Sequence, residues 1–269
     1  KVCNTATAYG LEDLRAAVKA WRLPVIVIGV VEAGAQGLAE TAEGAQGGVA
    51  VLATVGTCAS NAYPKAIAKV SSRPVRQLGS ASLAAAIEGD PSVRTPIRDI
   101  IRADVGAFLK SAAADQAAPI DTLMLGCTHY PLVADEIAAA FAYWRDQPEA
   151  DGRRPYAQLV APRLKQVNPA AWTAEALWRA LRSAGMTAAA TPKGGDSFYL
   201  SVPNPRWKGV GLAADGGLAY EYKYGREPGQ VGREDTVNVP LTPDMLPGST
   251  AGLVREKLPL TWRSLRGER

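Results

Sequence analysis

A chain of 269 residues, 47% hydrophobic and 21% charged, has the make-up of a folded globular protein with one large or two ordinary domains, and excludes a disordered chain. The net charge of +4 is spread over interspersed basic and acidic residues, without the tight cluster a nucleic-acid groove needs, and no apolar run approaches the ~20 residues that cross a bilayer. Three widely spaced cysteines argue against a disulfide framework and for a reducing, cytoplasmic setting.

Apolar residues at Leu11, Leu14, Ala17, Val18 and Trp21 recur with a helical period, and Pro24 closes that helix. Val25 to Val31 is a continuous apolar run rich in β-branched residues, which predicts a parallel strand buried on both faces. A helix follows over 33–42. The glycine-rich stretch 44–48 has no Lys-Ser/Thr after it and leads into a strand, so it reads as a turn and not a phosphate loop. Next come a strand over 49–53, a helix capped by Ser60 and running to about Val70, and a short strand over 75–78. Ser82 is placed to cap a short helix ending at Glu88, and a long helix covers 95–114. A strand over 120–125 delivers Cys127, and a helix spans 132–144. After a polar linker at 147–155 come a strand near 159–161 and a helix over 169–183, opened by Asn168 and Pro169. Strands alternating with helices predict an α/β fold with a mainly parallel sheet. Past Gly185 the pattern changes. Residues 197–202 and 218–224 alternate as strands do, with Asp215-Gly216-Gly217 as a hairpin signal, and a Pro-, Gly- and Arg-rich tail reads as a packing extension or partner surface.

The chemistry is concentrated in two blocks, Cys3-Asn4-Thr5 and Gly126-Cys127-Thr128-His129-Tyr130-Pro131, which hold two of the three cysteines and the only histidine. Each cysteine stands just before a predicted helix, where outward-pointing N–H groups favour anions and a lowered thiol pKa. Thr54 and Thr57 follow a strand, in a loop leading to the next helix. Open α/β sheets bind ligands at the carboxyl ends of their strands, so these loops are expected to converge on one crevice. Asn4, Thr5 and Thr128 could there grip a carboxylate. Cys58 has no such context and reads as a small buried hydrophobe, and Glu32 reads as structural. Cys127-x-His129 with one distant cysteine does not make a zinc spacing, so no metal is expected.

Cys-Asn-Thr-Ala and Leu-Gly-Cys-Thr-His-Tyr-Pro-Leu resemble the two signature motifs of the cofactor-independent glutamate racemases. The segment 51–57 with Ser60-Asn61-Ala62-Tyr63 is similar to that family's central threonine motif and following helix. Gly29-Val30-Val31-Glu32-Ala33-Gly34-Ala35 resembles its entry to a second domain, with Ala33 in place of proline, and Ala86-Ile87-Glu88-Gly89 resembles the segment of an auxiliary glutamate. The resemblance covers about residues 1–185. It implies two pseudo-symmetric parallel-sheet domains with the active site between them. It also implies racemisation of glutamate without a cofactor, supplying D-glutamate for peptidoglycan. In that pattern Cys3 and Cys127 are the catalytic acid/bases, the first acting on the D- and the second on the L-enantiomer. His129 and Glu88 support Cys127, while Asn4, Thr5, Thr54, Thr57 and Thr128 bind the amino acid. Thr7 stands beside the first motif.

The family also carries an Asp-Ser-Gly motif and a Tyr-Gly pair several dozen residues ahead of its first cysteine, where this sequence has only Lys1 and Val2. The resemblance therefore implies an N-terminally truncated racemase, impaired or inactive as an isolated chain. Residues 1–28 would be a remnant of the first domain, 29–148 the second domain, 149–185 a return segment to the first, and 186–269 a C-terminal, β-containing extension of unknown role. The partner expected is a small amino acid, with no nucleic acid and no membrane, and a homodimer left open. Three other readings stand beside it: a racemase of another amino acid such as aspartate, a Cys-His hydrolase acting through a thioester, and a non-catalytic binding protein on a racemase scaffold.

Overall fold

The computed structural model describes residues 3–41, 44–186, 196–214, 216–224 and 235–268. The chain divides into two compact units, Lys1–Thr187 and Ala188–Arg269. The first unit is α/β, built on a four-stranded, wholly parallel sheet.

Helix α1 (Asn4–Ala20) begins directly after Cys3, whose backbone is extended and whose Sγ accepts the Ala6 N–H at 3.4 Å. Asn4 is its only buried residue, and Leu14 and Trp21 stand exposed. The strand expected over Val25 to Val31 does not form. Val25 and Ile26 are exposed in an irregular segment, while Val30 and Val31 open helix α2 (Val30–Thr41) and are buried. An apolar run becomes a strand only where another strand accepts its backbone groups, and among the described residues none pairs with this one.

Strand β1 (Gly48–Thr54) is the sheet's buried centre, with Val49 to Ala53 nearly inaccessible. A continuous apolar run suits a parallel strand covered on both faces. The helix expected from Ser60 to Val70 is the shorter α4 (Ala62–Ile67), and a further short helix, α3 (Val55–Ala59), precedes it, the two separated by Asn61 at φ 54°. A left-handed residue stops helix propagation, and Asn tolerates it better than most. Ser60 still takes part, since its hydroxyl accepts the Ala62 N–H at 3.1 Å. Next come β2 (Val75–Ser80), α5 (Leu83–Glu88), α6 (Ile97–Ala114) and β3 (Ile120–Leu125). Ser82 makes no side-chain cap on α5; Ser80 instead takes the Leu83 N–H at 3.2 Å. A single 3-10 turn, Tyr130–Val133, precedes α7 (Ala134–Asp146), followed by β4 (Val160–Val167) and α8 (Pro169–Ser183).

The strand order is β2-β1-β3-β4. One face of the sheet packs on α2, α4 and α8 through Val31, Leu38, Val51, Tyr63, Ile67, Met124 and Val167. Gly37 permits the α2–α8 contact, because any Cβ there would run into the Trp172 ring. Helices α6 and α7 pair with each other, with Phe108 and Phe141 edge to face at 6.0 Å. This arrangement leaves the carboxyl ends of β1, β2 and β3 side by side, where Thr54, the segment leading to Glu88, and Cys127 emerge.

In the second unit β5 (Tyr199–Pro203) pairs antiparallel with β6 (Thr236–Pro240), placing Val202 opposite Val237. The segment expected as a strand over 218–224 is instead a single bridge, Leu212 to Leu218, followed by helix α9 (Tyr220–Tyr224). Tyr and Lys alternation over so few residues is compatible with either state, and packing decides. Of the hairpin signal, Asp215 lies outside the described residues, and Gly216 sits at φ 80°. Helices α10 (Gly248–Lys257) and α11 (Pro259–Leu265) complete the unit. Among the described residues, no helix is long and apolar enough to cross a membrane.

Candidate active site

Each end of the candidate site is anchored by a cysteine at the mouth of a helical turn. Cys127 follows β3 and is buried, with the backbone N–H groups of His129 and Tyr130 directed at its sulfur. Burial pushes its thiol pKa up. Those two N–H groups pull the other way, and negative charge on Cys3 or Glu88 adds to the rise.

His129 joins Cys127 to Glu88. Its Nδ1 lies 3.5 Å from the Cys127 sulfur, and its Nε2 lies 2.8 Å from a Glu88 carboxylate oxygen. A carboxylate accepts only, so in the neutral ring Nε2 carries the proton and Nδ1 offers its lone pair to the thiol. In that neutral form the Cys127 S–H donates to His129, and the bond to Glu88 favours the tautomer that allows it. Glu88 is largely exposed, and it reaches the pair from the end of α5, beyond β2.

Thr5, Thr54 and Thr57 bring their hydroxyls into a triangle: Thr5 to Thr57 at 2.9 Å, Thr54 to Thr57 at 3.0 Å, and Thr5 to Thr54 at 3.3 Å. Thr54 also caps α3 by accepting the Thr57 N–H at 3.3 Å. The trio ties the block that follows Cys3 to the end of β1. Thr57 is fully buried, so Thr57→Val, which keeps the shape and deletes the hydroxyl, is expected to lower stability by about 1–2 kcal/mol in a urea unfolding curve. An unchanged midpoint would mean that the triangle contributes nothing.

Asn4 is buried, and its Oδ1 accepts the Tyr63 hydroxyl at 2.5 Å. Thr128 is half-buried beside Cys127. The Thr7 hydroxyl donates to the Cys3 carbonyl at 2.8 Å, so it serves the first turn of α1. Glu32 forms a two-pronged pair with Arg15, at 2.9 and 2.5 Å, linking α2 to α1. Thr5, Thr54 and Thr57 thus form one linked group and Cys127, His129 and Glu88 another, with Asn4 joined to Tyr63 and Cys3 at the start of α1, and together they make up the candidate set. Tyr63 and Tyr130 are the buried polar side chains beside this set whose part the sequence does not declare. A tyrosine at a helix start reads as core until its hydroxyl is seen to meet an asparagine from another element.

Cys58 stands apart from these contacts. Burial pushes its thiol up to about 11. A raised pKa keeps the thiol protonated to higher pH, so iodoacetamide labelling of Cys58 is expected to stay slow at about pH 9, where a free cysteine with pKa near ~8.5 is mostly thiolate. Peptide mass spectrometry across a pH series reads this directly, and a Cys58 profile centred near ~8.5 would contradict it. Among the described residues no group of three or more His, Cys, Asp or Glu side chains is arranged to hold a metal ion.

Comparison with known proteins finds matches over much of the chain. The family model described as Asp/Glu/Hydantoin racemase matches residues 2–151. The chain is 33% identical over 139 residues to a glutamate racemase of Limosilactobacillus fermentum, a match covering 51% of this chain and 47% of that protein. It is 31% identical over 201 residues to a glutamate racemase of Pediococcus pentosaceus, covering 73% and 62%. Among solved structures it is similar to glutamate racemase isoform RacE1 from Bacillus anthracis, with a TM-score of 0.51 and 28% identity, covering 70% of this chain and 58% of that one. The chain thus spans about half the length of the first of these relatives.

Proposed function

Because the chain belongs to the Asp/Glu/hydantoin racemase family, we propose that its two thiols act as a pair of bases that interconvert L- and D-glutamate. The observation that carries this reading is the Cys127–His129–Glu88 line at the end of β3 together with the threonine triangle that ties the block after Cys3 to the end of the adjacent strand β1. Racemisation needs a base on one face of the Cα and an acid on the other. One sulfur, as thiolate, takes the Cα proton, and the carbanion-like charge is held while the opposite S–H returns a proton from the other side. The roles then stand reversed, ready for the opposite enantiomer.

The remaining residues fit that cycle. His129 stands to take the Cys127 proton at Nδ1, while the backbone N–H groups of His129 and Tyr130 oppose the burial that favours the thiol. The hydroxyls of Thr5, Thr54, Thr57 and Thr128 and the Asn4 amide supply donors for the substrate carboxylates. Donors fixed by the fold stabilise developing charge without reorganising at the moment of reaction. The block Gly126 to Pro131 and the names of the similar proteins favour glutamate over aspartate. The biological role that follows is provision of D-glutamate for peptidoglycan.

Incubation of the chain with L-glutamate, followed by chiral chromatography, tests the reaction. D-glutamate is expected to accumulate, at the reduced rate expected of an impaired chain, and aspartate to racemise more slowly still. Hydrolysis of an amide or ester by a chain lacking Cys3, with no racemisation by the intact chain, would instead establish the thioester hydrolase.

A further inference from the structure

Tyr63 is fully buried at the start of α4, within the core cluster formed by Val31, Ala35, Val51, Met124 and Val167. Two contacts make it more than a core residue. Its hydroxyl donates to Asn4, the residue after Cys3. Its ring edge lies against Gly126, the residue before Cys127: a Cβ on Gly126 would stand 2.9 Å from Tyr63 Cε2 and 2.9 Å from the Leu52 carbonyl. The opposite ring edge faces Gly34 of α2, where a Cβ would stand 3.3 Å from Cε1. One rigid side chain therefore spans the two cysteine-bearing segments. Glycines at Gly126 and Gly34 leave it the room to do so.

The hydroxyl does a second thing. Burial raises its pKa far above the ordinary tyrosine range, so it remains a donor. A donor on Oδ1 settles which way the Asn4 amide points, and the NH2 group is turned to the other side as a donor.

We infer that Tyr63 is a positioning residue, which sets the Cys3 and Cys127 segments against each other and orients the Asn4 amide as a donor to the substrate carboxylate. The inference rests on the racemase reading above for the identity of the ligand, and on the contacts alone for the spacing of the segments.

Two variants test it, with alkylation of each cysteine by iodoacetamide read by peptide mass spectrometry and folding checked by far-UV circular dichroism. In the wild-type chain, L-glutamate is expected to protect both Cys3 and Cys127; absence of protection overturns the ligand reading and not the spacing. Tyr63→Phe keeps the ring and loses the hydroxyl. The glutamate concentration that gives half-protection is expected to rise about tenfold, the worth of one hydrogen bond to a charged group. Half-protection within twofold of wild type, whatever the change in melting temperature, overturns the orienting role. Tyr63→Leu keeps an apolar filler but removes the span. Without glutamate it is expected to change the alkylation rate of Cys3 or Cys127 by about tenfold in a folded chain, since thiol reactivity follows local environment. Unchanged rates at both sulfurs overturn the spacing role. Should Tyr63→Leu fail to fold, Gly126→Ala replaces it, pressing on the same ring edge with the same two outcomes.

Discussion

Replacing Cys127 by serine lowers the rate of glutamate racemisation by about 10³-fold or more, and Cys3→Ser does the same, with the fold retained in both. Serine preserves the size and the capping geometry but has a hydroxyl too weakly acidic to supply an anion near neutral pH. In a two-base cycle each sulfur is needed in both directions, once as acid and once as base, so neither variant keeps activity toward one enantiomer. The two losses are therefore equal in kind, and the double variant is little worse than either single one, as for groups that act as a unit. A hydrolase built on Cys127 and His129 behaves otherwise, since Cys3→Ser leaves its turnover intact. Chiral chromatography for racemisation and an ester-cleavage assay, run on the same variants, separate the two accounts.

The second large effect lies at the other end of the sheet and concerns stability alone. Arg73 and Asp121 form a mostly buried ion pair between the segment before β2 and the start of β3. The Arg73 Nε donates to the Gly47 carbonyl at 2.7 Å and its Nη2 to Thr122 at 2.9 Å, while Asp121 accepts the Gly47 N–H at 2.8 Å. These bonds lock the entry to β1 between its two neighbours. Arg73 is 10% exposed and its Nη1 has no partner among the described residues. Asp121→Ala thus strands a buried cation and is expected to cost about 3 kcal/mol in chemical unfolding. Arg73→Met with Asp121→Ala removes both charges, and the double variant is expected to be more stable than the sum of the single losses implies. Strict additivity would show that the pair is already screened by solvent and holds nothing together.

Much of the layout was legible from residue patterns because the sheet is parallel and buried. Runs such as Val49 to Ala53 and Ile120 to Leu125 have no other comfortable place, and the helices between them carry plain periodicity. The Val25 to Val31 run shows the limit of that logic: the same composition without an adjacent strand leaves Val25 in solvent and draws Val31 into a helix. In the second unit, β6 and the two last helices are short and bounded by Pro and Gly, so local patterns carry little weight there. At the site, residue types and spacing single out Cys3, Cys127, His129 and the threonines. The contact of Glu88 with His129 joins residues from different strands' loops, and only the strand order brings them together. Tyr63 was hidden for a related reason. Its meaning lies in what it touches at both ends, and neither end is near it in sequence.

The central claim is that two different sulfurs serve opposite faces of one carbon, and isotope transfer in heavy water tests it most directly. With both thiols exchanged to S–D, L-glutamate carrying a light Cα hydrogen is incubated with the chain and stopped at low conversion. Two opposed bases predict that the D-glutamate formed carries deuterium at Cα from the first turnovers, while the remaining L-glutamate stays light. D-glutamate that keeps the original hydrogen, or L-glutamate that gains deuterium as fast as product forms, would mean that one base serves both faces, and the paired-thiol account would fall.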